Sequence, residues 1–177
     1  TMELHAGQIQ GFFDIPLDNL IIAPLFVPEI EKRYAGKELV IVSPDVGGVV
    51  RARALAKRLN SDLAIIDKRR EKAGVSEVMH VIGDVKDKVC IMVDDIVDSG
   101  GTLCNAATAL KSKGANEVYA YVVHGVLSGK AVERVTNSDL EGLITADTIA
   151  ARDDVEACPK VERLSVAKLL GEGILRI

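Results

Sequence analysis

The chain has 177 residues, 48% of them hydrophobic, and a formal net charge of −4. That length suffices for one compact domain over residues 1–177 with a sizeable core; the small acidic excess gives no bulk attraction to nucleic acid or to an anionic membrane, so any phosphate site must be built locally. No apolar run reaches the roughly 18 residues of a membrane span, the first residues lack the basic and apolar regions of a signal peptide, and Cys90, Cys104 and Cys158 form no CxxC pair, which argues for a reducing cytoplasm and against a disulfide framework or a zinc site.

The chain opens on a motif-like segment with no lead-in and closes on Ile174-Leu175-Arg176-Ile177, still in a helical pattern, so both ends read as cut. Residues 38–43 are apolar and predict a buried strand. From 47 to 60, Val49, Ala52, Leu55, Ala56 and Leu59 recur at helical spacing with arginines and lysines between them, which predicts an amphipathic helix. A second strand follows at 63–66. Residues 68–74 are charged and without periodicity and predict a loop; 77–82 predict a short strand, and 88–94 a core strand ending at two acids. Residues 102–113 predict a helix with Leu103, Ala106, Ala107 and Leu110 on one face and Gly114 at the C′ position. Beyond it lie a strand at 117–123, a helix at 128–135, a strand at 140–145 and a last helix at 166–175. This alternation predicts an α/β fold, a mostly parallel β-sheet flanked by helices. Such sheets bind ligands beyond the carboxyl ends of their strands. Three places qualify: Ser43-Pro44-Asp45, Asp67-Lys68-Arg69-Arg70, and the segment from Asp94 to Thr102.

The third carries the most chemistry. An apolar run ends in Asp94-Asp95, and Ile96-Val97-Asp98-Ser99-Gly100-Gly101-Thr102 then leads into a helix. Glycines let successive backbone N–H groups converge, and a helix N-terminus adds free N–H groups and a positive dipole end. Ser99 and Thr102 add hydroxyls, so a phosphate monoester fits without a lysine. Asp94 and Asp95 suit vicinal hydroxyls, such as the 2-OH and 3-OH of ribose, one sugar length away. The plainer alternative is a helix capped by Asp98 or Ser99 with solvated acids. The loop is neither a P-loop, lacking its lysine, nor a G-x-G-x-x-G turn.

The whole pattern, two acids, two apolar residues, then Asp98-Ser99-Gly100-Gly101-Thr102, resembles the PRPP-binding motif of the type I phosphoribosyltransferase fold. Three further segments resemble ribose-phosphate pyrophosphokinase: Glu3-Leu4-His5-Ala6-Gly7-Gln8-Ile9-Gln10-Gly11-Phe12-Phe13-Asp14-Ile15-Pro16, then Ser43-Pro44-Asp45-Val46-Gly47-Gly48, then Asp67-Lys68-Arg69-Arg70, with Ser76 to Asp84 continuing the likeness. The resemblance covers essentially the whole chain and is strongest to the common bacterial class. It implies transfer of the β,γ-diphosphoryl group of ATP to the C1 hydroxyl of ribose 5-phosphate, giving PRPP and AMP, with Mg2+, in a cytoplasmic homo-oligomer.

The same resemblance implies roles. Lys68 and Arg70 are the catalytic cations of a flexible loop, Lys68 also touching ATP; without the family, a basic run of this kind is a solvated loop. Arg70, Asp94, Asp95, Asp98, Ser99, Gly100, Gly101 and Thr102 bind ribose 5-phosphate. His5 contacts metal or ATP phosphate, and Asp45 is a second magnesium contact. Glu3 stands where the family usually has aspartate, one methylene shorter, and is assigned no metal role. Asp14 is read as a turn cap, His80 as structural, and His124 is given no catalytic part.

The family is built from two similar domains, and this chain resembles the C-terminal one, without the N-terminal domain or the C-terminal tail. It therefore reads as a truncated form with little activity of its own. Two other functions fit the loop: a transferase that uses PRPP to make a nucleotide, and a non-catalytic module that binds PRPP or ribose phosphate for regulation. The transferase should not carry the His5–Phe13 signature or the Lys68–Arg70 loop, and the presence of Lys68, Arg70, Asp94 and Asp95 counts against the non-catalytic module.

Overall fold

The computed structural model describes residues 1–69 and 78–176. Among the described residues, seven strands form one sheet. In chain order they are β1 (Leu39–Ser43), β2 (Asp62–Arg69), β3 (Val78–Ile82), β4 (Val89–Val97), β5 (Glu117–Gly125), β6 (Gly142–Ala146) and β7 (Val161–Leu164), and their order in space is β3-β2-β1-β4-β5-β6-β7. Every neighbouring pair is parallel except β2 with β3. Among the described residues, α-helices connect or flank them, namely α1 (Ala23–Arg33), α2 (Val49–Leu59), α3 (Gly101–Ser112), α4 (Ala131–Thr136), α5 (Asp153–Glu156) and α6 (Ala167–Ile174), with a short 3-10 helix at Gly7–Phe12. None of the described helices is long and apolar enough to cross a membrane.

The central strands are continuous apolar runs because both faces of the sheet are covered. Cys90 and Met92 face one core with Val40, Val42, Val118 and Val122, closed by Leu103, Ala106, Ala107 and Leu110 of α3. Val89, Ile91 and Val93 face the other with Ile41, Tyr121 and Ile144, closed by α1 and by Ala52, Leu55 and Ala56 of α2. From β1 the chain steps to β2 on one side and later returns to β4 on the other. The reversal lies between β1 and β4, which pair in register from Leu39↔Val89 to Val42↔Met92. At such a switch point the connections diverge and leave a crevice at the carboxyl ends.

The expected strands and helices are present, with ends moved by up to three residues. One boundary needs correction. Lys68 and Arg69 are not in a loop; they close β2, which runs antiparallel to β3 with Lys68↔Met79 and Arg69↔Val78. Pairing with a neighbouring strand overrides the weak local preference of a charged run. Residues 70–74 of that expected loop, and Glu77 of the expected strand, lie outside the described residues.

Four elements had no expectation, the 3-10 helix at Gly7–Phe12 and three others. The first of those three, α1, holds Pro28 in its interior and Pro24 in its first turn. A proline at 28 removes the bond to the carbonyl of residue 24 and normally breaks a helix. Here Phe26 and Ile30, four residues apart and buried, hold the helix on the sheet, with the Phe26 ring edge-on to Tyr121 at 5.3 Å. The second, β7, is a charged edge strand with little burial, as edges tend to be. The third, α5, is a single turn of four residues.

Candidate functional site

The loop between β4 and α3 is built by pinning its carbonyls. Val97 O accepts from the N–H groups of Val126 (3.0 Å) and Leu127 (3.2 Å), and Asp98 O from Ser128 N–H (3.1 Å). Ser99 O accepts from the Arg134 guanidinium at 2.7 Å. In a planar trans peptide the N–H points opposite to the C=O, so the Ser99 and Gly100 amides face away from this anchoring segment. Gly100 takes φ +75°, a left-handed conformation that side chains disfavour, and the helix starts there. The N-cap of α3 is Gly100, and among the described residues no side chain caps the helix there, Asp98 and Ser99 included, against the helix-cap alternative. Among the described residues the amides of 99–102 make no hydrogen bond outside the helix. They open on a hollow of about 200 Å³, lined by residues 96–103 on one side and by Asp45 and Asp94 on the other.

A cleft of about 570 Å³ adjoins it over the β1–β4 switch point, lined by His5, Asp45, Gly48, Arg51, Asp94 and Asp95 among others. Asp45 follows β1 in a tight turn: Ser43 Oγ donates to Asp45 O at 2.7 Å, and Gly48 N–H donates to Asp45 Oδ1 at 3.0 Å. A Cβ on Gly48 would meet Ser43 Oγ at 2.9 Å, so the turn needs glycine there. A larger cleft, about 700 Å³, lies behind the loop between α3 and α4, with Ser99, Cys104, Lys130 and Arg134 in its wall. Neither Asp94 nor Asp95 lines it.

Asp94 and Asp95 alternate across the strand. Asp95 is 3% exposed and lies 2.6 Å from His5 Nδ1 and 3.3 Å from Arg51 Nη2. Asp94 Oδ1 takes the Asp95 backbone N–H at 2.9 Å and lies 3.5 Å from Arg51 Nη1. Burial, followed by the bond it shares with Asp95, pushes the Asp94 carboxyl up to about 6. Burial acts in the same direction on Asp95, but the bonds from Asp94 and His5 and the Arg51 charge outweigh it and hold that carboxyl below its ordinary range. One acid of the pair is thus firmly ionised and its neighbour close to neutral pH, as expected of adjacent carboxylates in one site.

The structure brings together His5, Asp45, Asp94, Asp95 and the 98–102 loop. Lys68 is half-buried near the carboxyl end of β2, on the same rim of the parallel strands, and Arg70 lies outside the described residues. Magnesium takes hard oxygen ligands and keeps several waters. Asp45 offers such an oxygen in both hollows; His5 suits it less, since its Nδ1 faces Asp95 and imidazole favours softer ions. No group of three or more His, Cys, Asp or Glu gathers as a metal site among the described residues. The donor set fits an ion with few protein ligands, held largely by phosphates.

Arg51 was missed by sequence reasoning, which noted only arginines and lysines between the apolar positions of that helix. A signal was available: a cation in the first turn of a helix opposes the macrodipole, and its presence there points to a carboxylate partner.

Known proteins resemble this chain over its whole length. Ribose-phosphate pyrophosphokinase of Granulibacter bethesdensis is 60% identical over 177 residues, 100% of this chain and 57% of that protein. The enzyme of the same name from Caulobacter vibrioides is 62% identical over 179 residues, with the same two shares. The chain therefore spans 57% of the length of these curated relatives. The crystal structure of phosphoribosylpyrophosphate synthetase from Mycobacterium smegmatis superposes with a TM-score of 0.90 at 38% identity, covering 98% of this chain and 56% of that one. An adenine phosphoribosyltransferase structure shares the fold, with a TM-score of 0.56 at 17% identity over 70% of this chain and 76% of that one. The Phosphoribosyl transferase domain family matches residues 12–156, well over half the sequence, and the chain belongs to that family.

Proposed function

We propose that the protein acts in ribose-phosphate diphosphokinase chemistry, in which the C1 hydroxyl oxygen of ribose 5-phosphate attacks the β-phosphorus of ATP. A bond forms from C1–O to the β-phosphorus, the bond from that phosphorus to the oxygen bridging it to the α-phosphorus breaks, AMP leaves, and the C1 hydroxyl proton is lost. The observation that carries the reading is the continuity of the two hollows: open loop amides at residues 99–102 face Asp45 and Asp94 across one cavity. The amides hold the 5-phosphate, with Asp98, Ser99 and Thr102 around it, while Asp94 and Asp95 accept the 2-OH and 3-OH. Lys68 and Arg70 stabilise charge on the transferring group. Magnesium, when bound with ATP phosphates at Asp45, would offset their charge and orient them; His5 is the second contact at that end of the cleft. The named relatives support this choice of substrates. Homo-oligomeric assembly and a cytoplasmic setting belong to the same proposal and rest on the resemblance.

Calorimetry tests the sugar-phosphate half: ribose 5-phosphate binds the chain and 2-deoxyribose 5-phosphate binds more weakly. Product analysis with ATP, ribose 5-phosphate and magnesium tests the reaction, for which PRPP and AMP should rise together. No binding of ribose 5-phosphate contradicts the proposal; so does conversion of PRPP and a base into nucleotide and pyrophosphate, which marks a phosphoribosyltransferase instead.

A further inference from the structure

We infer that Arg51, held in place by Glu3, is a positioning residue for the sugar diol: its guanidinium fixes the carboxylates of Asp94 and Asp95 in the orientation that receives two ring hydroxyls. The inference rests on the ribose-phosphate reading and adds two residues which that reading does not use.

Arg51 lies in the first turn of α2 with its side chain only 24% exposed. Its three nitrogens address three different carboxylates. Nε faces Glu3 Oε1 at 3.3 Å, Nη1 faces Asp94 Oδ1 at 3.5 Å, and Nη2 faces Asp95 Oδ2 at 3.3 Å. A planar guanidinium can divide its edges in this way, whereas a lysine ammonium is a single point charge. The position is electrostatically poor for a cation as far as the helix is concerned, so the carboxylates are what keep it there.

Glu3 is the anchor. Its second oxygen, Oε2, accepts the Ile22 N–H at 2.8 Å, immediately before α1. Both carboxylate oxygens are therefore engaged, one by a helix start and one by Arg51, which leaves Glu3 unsuited to a direct metal role. Its backbone is strained, with φ +43°, and such a conformation persists only where its surroundings over-determine it. They do. Glu3 N–H donates to Leu20 O at 2.8 Å, and His124 Nε2 lies 3.1 Å from Met2 O and 3.2 Å from Glu3 O. The other ring nitrogen of His124 is 2.8 Å from Thr148 Oγ1. His124 thus fixes the Met2–Glu3 backbone, that backbone aims Glu3, Glu3 aims Arg51, and Arg51 spans the two acids. Without a cation between them, two adjacent carboxylates on one strand repel and splay, and a diol needs both at once.

The test is calorimetry on the whole 177-residue chain with ribose 5-phosphate and, in parallel, 2-deoxyribose 5-phosphate, which keeps the phosphate and lacks one hydroxyl. Arg51→Lys keeps the charge and loses the fork; Glu3→Gln keeps an acceptor for Ile22 and loses the anion facing Arg51. In each variant ribose 5-phosphate should bind about tenfold more weakly, while the deoxy sugar changes by less than about threefold, so the preference for the diol collapses. Thermal unfolding of each variant confirms a folded chain, and Glu3→Gln, which touches neither acid, serves if Arg51→Lys does not fold. Equal weakening for both sugars would make the pair merely structural and overturn the inference. So would unchanged ribose preference in both variants. If the wild-type chain itself binds no ribose 5-phosphate, the ribose-phosphate reading falls first, an outcome distinct from the other two.

Discussion

Asp94 and Asp95 share a peptide bond and have opposite electrostatic situations, which gives substitutions at the two sites opposite signs. The Asp94 carboxyl is raised from 3.8 to about 6, chiefly by burial. A raised folded value means the folded state favours the protonated acid, so the stability associated with that proton is complete below about pH 4 and is lost as pH rises through about 6. Asp94→Asn keeps the shape without the charge. It should stabilise the chain by about 1–2 kcal/mol at pH 7.5, after allowance for solvent screening, and by almost nothing at pH 4. Asp95 is held ionised by Asp94, His5 and Arg51, and Asp95→Asn leaves those groups without their anion, which should cost about 1–3 kcal/mol at pH 7.5. Urea unfolding of wild type and both variants at the two pH values checks the pair; two changes of the same sign at pH 7.5 would contradict it. Both acids were legible in the sequence, because an apolar run that ends in two carboxylates and a glycine turn is unusual chemistry. Their inequality was not, since it depends on His5 and Arg51, 90 and 44 residues away in the chain from Asp95.

Among the elements, β1 to β6 and the helices α2, α3, α4 and α6 could be read from apolar runs and helical spacing, most plainly where residues pack into the two cores that flank the sheet. The helix α1 could not: two prolines hide a pattern whose docking is tertiary. Its hold on the sheet is a matter of relative magnitudes. Phe26 and Ile30 are buried to 2% and 0% exposure, and Phe26→Ala should cost about 3–5 kcal/mol. Arg33 also forms a two-point ion pair with Glu162 of β7, at 2.7 and 2.5 Å. That pair is partly exposed, and Glu162→Gln should cost under about 1 kcal/mol. Chemical denaturation ranks the two; a larger loss from the ion pair would mean that α1 docks by charge. At the loop between β4 and α3, Gly100→Ala forces a side chain into the left-handed region at φ +75°. It should cost about 1–2 kcal/mol of stability, and it should weaken ribose 5-phosphate and 2-deoxyribose 5-phosphate alike, since both use the loop amides. That equal loss, read by calorimetry, separates a loop defect from an Arg51 defect.

For the whole molecule, the position of the site follows from strand order. Parallel strands put their carboxyl ends on one rim, and the reversal between β1 and β4 opens the crevice where Asp45 meets Asp94 and Asp95. The sequence revealed the rim, because three strand ends carried acids or bases. It did not reveal the strand order, so Arg51 and Glu3 could not be placed against those acids. Nor did it show that three successive carbonyls, from Val97 to Ser99, would be anchored by the 126–134 segment, which is what turns the loop amides outward. The most direct test of that arrangement is a crystal structure of the chain with ribose 5-phosphate. The 5-phosphate should lie within hydrogen-bonding distance of the amides of Ser99 to Thr102, with the 2-OH and 3-OH on Asp94 and Asp95. A phosphate found instead in the cleft between α3 and α4, with the loop amides still free, would contradict it.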